Sequence, residues 1–330
     1  MKIAIIGLGV IGKVHAEALA LLGTPATVLC DIDQGALLVA RDAFAKDAAL
    51  YTDWEVMLRE AKPDVVHICT PHYLHAPMVV AALKANINVL CEKPLCIREE
   101  DIAEILEAEA ASTASLGVCH QNRYNDVNVF LKEYLAERRV LGAHGAVTWQ
   151  RTKEYYASAA WRGTWAYEGG GALINQALHT LDLLLWLCGE PQSLVATKDN
   201  LTLKGDIEVE DTVALRAFGE VPFSFFATVG AGVSFPVTLQ FQLEGGDHLL
   251  VQPKVAYLNG KPLATGEIKR VLGKACYGDG HLRLFSHYYD CLAKGEHFPI
   301  DGKEAAKVIR VILRTYQSEG RVLPLKKTKN

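Results

Sequence analysis

The chain has 330 residues, half of them hydrophobic and 22% charged, with a net charge of −4 and a pI near 6.3. That length exceeds what one hydrophobic core usually supports, so two domains are expected, and the composition is globular rather than disordered. Without a basic excess the chain is not expected to bind nucleic acid, and no apolar run is long enough to cross a bilayer.

The first stretch, Met1–Gly12, is apolar but broken by glycines and followed by no small-residue cleavage site, so it does not read as an export signal. The eight cysteines stand singly, with Cys30, Cys69, Cys91 and Cys119 beside apolar runs. Buried thiols in a reducing cytoplasm are the expectation.

Along the first 120 residues two periods alternate. Short β-rich runs at Lys2–Ile6, Ala26–Cys30, Asp64–Cys69, Ile87–Cys91 and Gly117–His120 are separated by helical patterns at Val14–Leu22, Gln34–Phe44, Trp54–Glu60, Ala76–Ala85 and Glu99–Ala111. This rhythm specifies a parallel sheet covered on both faces. Beyond Tyr124 it changes. A helix at Val127–Arg138 precedes a strand near Ala146–Arg151, an aromatic-rich loop, and a strongly apolar helix from Ala172 to Cys188. Five strands then follow with no helix between them: Leu194–Asn200, Asp211–Phe218, Phe223–Val229, Val237–Leu243 and His248–Gln252. Such a run predicts a mostly antiparallel sheet. Helices near Leu282–Ala293 and Lys303–Ser318 close the chain. The fold class is therefore α/β, with a parallel-sheet domain at residues 1–123 and an α+β domain carrying an open sheet at residues 124–330.

Gly7-Leu-Gly9-Val-Ile-Gly12 follows the first strand and opens a helix. In that context Gly7 allows a tight turn, Gly9 lets a pyrophosphate approach the backbone, and Gly12 lets helix and strand pack closely. The exposed N–H groups and positive end of the helix suit phosphate. This is the fingerprint of a Rossmann dinucleotide-binding domain. Asp31, 19 residues after Gly12, ends the second strand. Its carboxylate suits the ribose hydroxyls and repels a 2′-phosphate, which favours NAD over NADP. Asp33 is a second carboxylate nearby, and one of the two is expected to cap the next helix.

Thr70-Pro71-His72-Tyr73-Leu74-His75 and Cys91-Glu92-Lys93-Pro94 follow two further strands, at the strand ends where α/β sheets bind ligands. With the glycine fingerprint, His15, His120-Gln121-Asn122-Arg123-Tyr124, Trp161-Arg162-Gly163-Thr164-Trp165, Glu168–Gln176 and His179-Thr-Leu-Asp182, this ordered set resembles the glucose–fructose oxidoreductase/inositol dehydrogenase (Gfo/Idh/MocA) family. The likeness runs to a tail at Ile300–Leu323. It implies hydride transfer between nicotinamide and a secondary alcohol or ketone of a sugar, cyclitol or sugar derivative, and oligomer contacts through the open sheet, as a homodimer or homotetramer.

The resemblance also assigns roles. Lys93, with a Lys–Pro bond that is commonly cis in the family, contacts substrate and nicotinamide and stabilises alkoxide charge. Glu92 pairs with a neighbouring donor and helps fix the loop. Cofactor contacts fall to Gly7, Gly9, Val10, Ile11, Gly12, Asp31, Thr70, Pro71, His75, Glu92, Lys93 and Asn122. His179 is the expected general acid/base. Asn175, His179 and Asp182 share one helical face by their spacing, and Gly169–Gly171 are taken to let that helix approach a ring. Substrate contacts fall to Arg123, Tyr124, Trp161, Arg162, Asn175 and Asp182, with the tryptophans equally readable as an aromatic core cluster. Tyr277 and His281 are further pocket candidates. Asn175 departs from the Asp common in the family, and an amide cannot act as a base. No metal is expected, since His72 and His75 lack a completing ligand cluster. A sensor that binds dinucleotide or sugar without turnover, or an enzyme that retains its NAD, are the alternatives.

Overall fold

The computed structural model describes residues 1–267, 272 and 278–325. By internal contacts the chain divides into two units: Met1–Gln121 with Ile268–Ala306, and Asn122–Glu267 with Lys307–Asn330.

The first unit runs β1 (Ile3–Ile6), α1 (Val10–Leu21), β2 (Val28–Cys30), α2 (Gln34–Phe44), β3 (Ala49–Tyr51), α3 (Trp54–Ala61), β4 (Val65–Ile68), α4 (His75–Lys84), β5 (Asn88–Cys91), α5 (Glu99–Ala111) and β6 (Leu116–Val118). The strands form one parallel sheet in the order β3-β2-β1-β4-β5-β6. β1 and β4 are buried at every residue, as continuous apolar strands covered on both faces must be. The edge strand β3 escapes sequence reading because it has three residues and a largely uncovered pattern. Asp33 and Asp53 cap α2 and α3 with their side chains, so the second carboxylate near Asp31 is the helix cap.

The second unit holds α6 (Asp126–Ala136), β7 (Val140–Thr148), α7 (Lys153–Ala157), α8 (Leu178–Cys188), β8 (Ser193–Asp199), β9 (Thr212–Phe218), β10 (Phe223–Thr228), β11 (Thr238–Leu243), β12 (His248–Gln252), β13 (Val255–Leu258) and β14 (Lys261–Thr265). After these come α9 (Gly280–Lys294), α10 (Gly302–Ser318) and β15 (Leu323–Pro324). The sheet order is β14-β13-β12-β11-β7-β10-β9-β8-β15, antiparallel throughout except for the parallel pair β7 and β10. In β10, Phe223, Phe225 and Ala227 are buried while the residues between them are more exposed, the alternation of a sheet buried on one face.

Three expectations need correcting. Residues Ala172–Cys188 are not one α-helix: Ala172–Ala177 form a π-helical turn that leads into α8. A π segment widens the turn and breaks the simple 3.6-residue count of faces. Second, residues 268–306, assigned by sequence to the later domain, group with the first unit. The reason is α9, which packs on α1 and sends Tyr288 to the sheet, where its hydroxyl donates to the carbonyl oxygens of Val89 (2.9 Å) and Ser115 (3.1 Å). Gly117 makes room for that ring, since a Cβ there would lie 2.8 Å from it. Third, β13, β14 and β15 extend the open sheet beyond the six strands expected.

Candidate active site

In the first unit the glycine loop behaves as its sequence requires. Gly7 has φ +88°, and a Cβ there would strike the Cys69 carbonyl at 2.7 Å. A Cβ at Gly12 would lie 1.9 Å from the Gly7 carbonyl oxygen, so both positions need glycine for close packing. At Gly9 a Cβ would meet nothing within 4 Å, and the N-terminus of α1 has no side-chain cap. Gly9 and Val10 are exposed and Ile11 half-buried, leaving the helix N–H groups open for a pyrophosphate. Asp31 accepts the N–H of Leu8 (2.5 Å) and of Asp33 (2.9 Å), which ties the loop to the end of β2. These residues fit a dinucleotide.

Beneath this loop lie the ends of β4 and β5. The ring nitrogens of His75 sit 2.6 Å from the Pro94 carbonyl oxygen and 2.9 Å from that of Thr70, and the single N–H of a neutral ring donates to one of the two. Burial pushes the His75 imidazole below its ordinary range. Thr70 and Pro71 are half-buried, and the Lys93–Pro94 bond is cis. Lys93 is half-buried while its neighbours from Cys91 to Ile97 are buried, so it is the residue of this loop that keeps part of its surface accessible.

Glu92, by contrast, turns inward and is 4% exposed. One carboxylate oxygen accepts from His15 Nε2 and from His281 Nε2, each at 3.0 Å, and the other accepts the Lys93 N–H at 3.2 Å. The two imidazole donors hold the Glu92 carboxyl well below the usual carboxylate range even though burial opposes this. His281 is thus 1% exposed and bound to Glu92, while Tyr277 lies outside the described residues. His15, Glu92 and His281 also present donor atoms within 4.8 Å of one another, a set that the spacing of His72 and His75 gave no hint of.

In the second unit the π turn and α8 carry Asn175, His179 and Asp182. Asn175 and His179 are half-buried; Asp182 is 2% exposed. Arg123, 6% exposed, makes a two-pronged bond to Asp182, with Nε at 2.8 Å and Nη2 at 2.6 Å. These two residues, read in the sequence as substrate contacts, bond to each other, and the pair braces α8. Tyr124 and Asn122 are half-buried, and the Asn122 carbonyl accepts from Asn128 (2.7 Å).

A side-chain cluster surrounds Asn175. Its amide donates to the buried Glu168 carboxylate, which also accepts the Gly163 N–H. The Tyr155 hydroxyl lies 2.5 Å from Arg162 Nη1, 2.8 Å from Gln176 Nε2 and 3.4 Å from Asn175 Nδ2. The Arg162 guanidinium sits 4.5 Å from the ring centres of both Tyr155 and Trp161, so Trp161 braces a cation. Trp165 is 38% exposed and packs edge-on to Tyr316. Sequence reasoning missed Tyr155, Gln176 and Glu168 as members of this cluster. The run of aromatics at Tyr155-Tyr156 was the available signal.

The glycines before this helix serve a different purpose from the one expected. Gly170 (φ +145°) leaves no room for a Cβ because the Tyr316 hydroxyl would lie 2.1 Å away, and at Gly171 the Glu210 carbonyl would lie 2.1 Å away. The ring that Gly170 approaches is the chain's own Tyr316. Glu210 caps the π turn by accepting the N–H groups of Gly171 (2.9 Å) and Leu173 (3.0 Å), with the Tyr316 hydroxyl donating at 3.0 Å. Burial still raises the Glu210 carboxyl to about 7.

Comparison with known proteins agrees with these features. Residues 1–120 match the oxidoreductase family with an NAD-binding Rossmann fold, and residues 135–241 match the GFO/IDH/MocA C-terminal domain. Inositol 2-dehydrogenase of Salmonella typhimurium is 30% identical over 201 residues, 59% of this chain and 56% of that protein. Levoglucosan dehydrogenase of Pseudarthrobacter phenanthrenivorans is 27% identical over 203 residues, 58% of this chain and 52% of that protein. The match thus spans about half the length of these relatives. The WlbA dehydrogenase of Bordetella pertussis, solved with NADH and UDP-GlcNAcA, superimposes with a TM-score of 0.85 at 26% identity, covering 99% of each chain. A first unit built around an NAD-binding glycine loop, followed by a second with this open sheet, places the chain in the Gfo/Idh/MocA family of oxidoreductases.

Proposed function

We propose that the protein is an NAD-dependent oxidoreductase that moves a hydride between nicotinamide and a secondary alcohol or ketone of a sugar, cyclitol or sugar derivative. The observation that carries this reading is the loop after β5, in which Lys93 stays partly accessible within a buried segment anchored by Glu92 and His75. An ammonium there suits stabilisation of a developing alkoxide. His179, half-buried on α8, is the proton acceptor, since an imidazole exchanges protons near neutrality. Bound NAD supplies the hydride acceptor. Gly7, Gly9, Val10, Ile11 and Gly12 cradle its pyrophosphate, and Asp31 selects NAD by facing the ribose hydroxyls. Thr70, Pro71, His75 and Asn122 complete the cofactor contacts.

For the substrate, Arg162, Trp161, Tyr124 and Asn175 offer donors and ring faces of the kind that recognise a pyranose. A nucleotide-linked sugar is the favoured subclass. The full-length likeness to a dehydrogenase solved with UDP-GlcNAcA supports it, as does Asn175 in place of a carboxylate. The assembly is a homodimer or homotetramer, and the free, mostly buried thiols suit a reducing cytoplasm.

The test is absorbance of reduced nicotinamide with NAD or NADP against sugars, cyclitols, sugar acids and UDP-linked sugars. Turnover with NAD, strongest on a UDP-linked sugar, is the expected result. NAD binding by calorimetry with no turnover across the panel would favour the sensor reading, and NAD carried through purification would favour an enzyme that recycles its cofactor.

A further inference from the structure

We propose that His281, together with His15, is a positioning residue for Lys93: the two imidazoles hold the buried Glu92 carboxylate, and that carboxylate fixes the backbone of the lysine. The proposal rests on the reading of Lys93 as catalytic.

Three distant elements of the first unit meet at one carboxylate. His15 comes from α1, just after the glycine loop; Glu92 ends β5; His281 comes from the first turn of α9, 189 residues further along. Both imidazole Nε2 atoms lie 3.0 Å from Glu92 Oε1, and Glu92 Oε2 accepts the Lys93 N–H at 3.2 Å. A buried carboxylate is acceptor only, so both Nε2 atoms must carry hydrogen.

That requirement propagates. With its proton on Nε2, a neutral His15 has a bare Nδ1, which lies 2.9 Å from Nδ1 of His67 on β4. His67 must therefore donate from Nδ1, which leaves its Nε2 bare, and the Tyr289 hydroxyl lies 2.7 Å from that atom. One directed chain results, from Tyr289 through His67 and His15 to Glu92, with one proton at each contact and both rings neutral. Burial lowers the imidazoles of His15 and His67, in keeping with this assignment. The phenol of Tyr289 is pushed up by burial, so it stays a donor.

The same geometry argues against a metal at these donors, because each 3.0 Å contact already has one hydrogen and one acceptor. The groups that face Glu92 are His15 from α1, His67 and Cys69 at β4, Cys91 on β5, Lys93 beside it, Cys119 after β6 and His281 from α9. Burial pushes the three thiols well up, so they carry no charge. Glu92 is then the anion of this cluster, and its ionisation depends on the imidazole donors. Loss of one donor lets desolvation dominate. The carboxyl takes up a proton on mild acidification, and its O–H no longer holds the Lys93 N–H.

The experiment compares wild type, His281→Leu, His281→Gln, Tyr289→Phe and Lys93→Ala in the full-length protein. Three readouts are used: kcat against pH, NAD affinity by calorimetry, and infrared titration of the Glu92 carboxyl. In His281→Leu, kcat should fall about tenfold or more and its pH profile should gain an acidic limb, with NAD affinity within about twofold of wild type. The infrared titration should show Glu92 protonating at a higher pH than in wild type, a result independent of turnover. His281→Gln, which keeps an N–H donor, should restore most of both. Tyr289→Phe removes only the far end of the chain and should show the same shift in smaller degree, even if His281→Leu fails to fold.

Wild-type kcat and pH profile in His281→Leu, with Lys93→Ala inactive, would overturn the positioning role and leave the catalytic reading of Lys93 intact. Full turnover in Lys93→Ala would overturn both. One zinc per chain in purified protein, lost in His281→Leu, would overturn the proposal by making the three side chains metal ligands.

Discussion

Asn175 stands against the Glu168 carboxylate, which has no exposed surface, and its amide donates to it. This supplies a physical reason for an amide at this position: a second carboxylate in contact with the buried Glu168 could not ionise together with it. Asn175→Asp should therefore destabilise the protein by about 1–3 kcal/mol at pH 8 and by less at pH 5, where the pair can share a proton. Thermal unfolding at the two pH values checks this, and an equal loss at both would mean that charge is not the cause. At Lys93 and His179, substitution by alanine should each lower kcat by about a hundredfold or more while calorimetry shows nearly unchanged NAD affinity. Near-normal turnover in either variant removes that residue from the chemistry. The identities of these side chains were legible in the motifs that contain them. Their partners were not, because Tyr155, Gln176 and Glu168 converge on Asn175 through folding rather than through spacing.

The helix that carries Asn175 and His179 shows what periodicity alone misses. Its apolar residues suggest one continuous α-helix, yet the first six residues are a π turn. Glu210 caps that turn from a distant loop, so its ionisation is linked to folding. Its carboxyl is raised from 4.5 to about 7, so between those values the folded protein holds a proton that the unfolded chain has released. The stability this contributes is present below pH 4.5 and is lost as pH rises through 7. Wild type should consequently lose stability relative to Glu210→Gln between pH 5 and 7.5, by at most about 3 kcal/mol. Denaturant midpoints measured across that range test the sign, and parallel curves for the two proteins would exclude Glu210 as the source. The glycines beside it follow the same logic. Sequence reading sends Gly169–Gly171 towards a bound ring, whereas Gly170 and Gly171 make room for Tyr316 and Glu210.

At the scale of the whole chain, α9 completes the first unit although the Asn122–Glu267 stretch of the second precedes it in sequence. Its Tyr288 is fully buried and reaches the carbonyls of Val89 and Ser115, and His281, Phe285 and Tyr289 contact His15 or His67. A fragment ending at Gln121 should thus lack fixed tertiary structure, with weak near-ultraviolet dichroism and dye binding to exposed apolar surface. A cooperative, native-like fragment would show that α9 is dispensable. In the full-length protein, light scattering should report a dimer or tetramer, since the open sheet leaves Leu141 and Phe226 exposed; a stable monomer would refute that assembly.

Local rules suffice for much of this protein. Alternating strand and helix periods, a glycine fingerprint in which Gly7 and Gly12 each meet a steric need, an aspartate at the end of β2 and a helix-capping Asp33 all act within a few residues of one another. The sequence by itself therefore determined the parallel sheet and the dinucleotide loop, and it singled out Lys93 and His179 as the candidates for the chemistry. Tertiary structure decided what depends on residues far apart in the chain: the inward turn of Glu92 between His15 and His281, the pairing of Arg123 with Asp182, the capping of the π turn by Glu210, and the membership of α9 in the first unit. Each of these satisfies a buried polar or bulky group, and no single segment carries both the group and its partner.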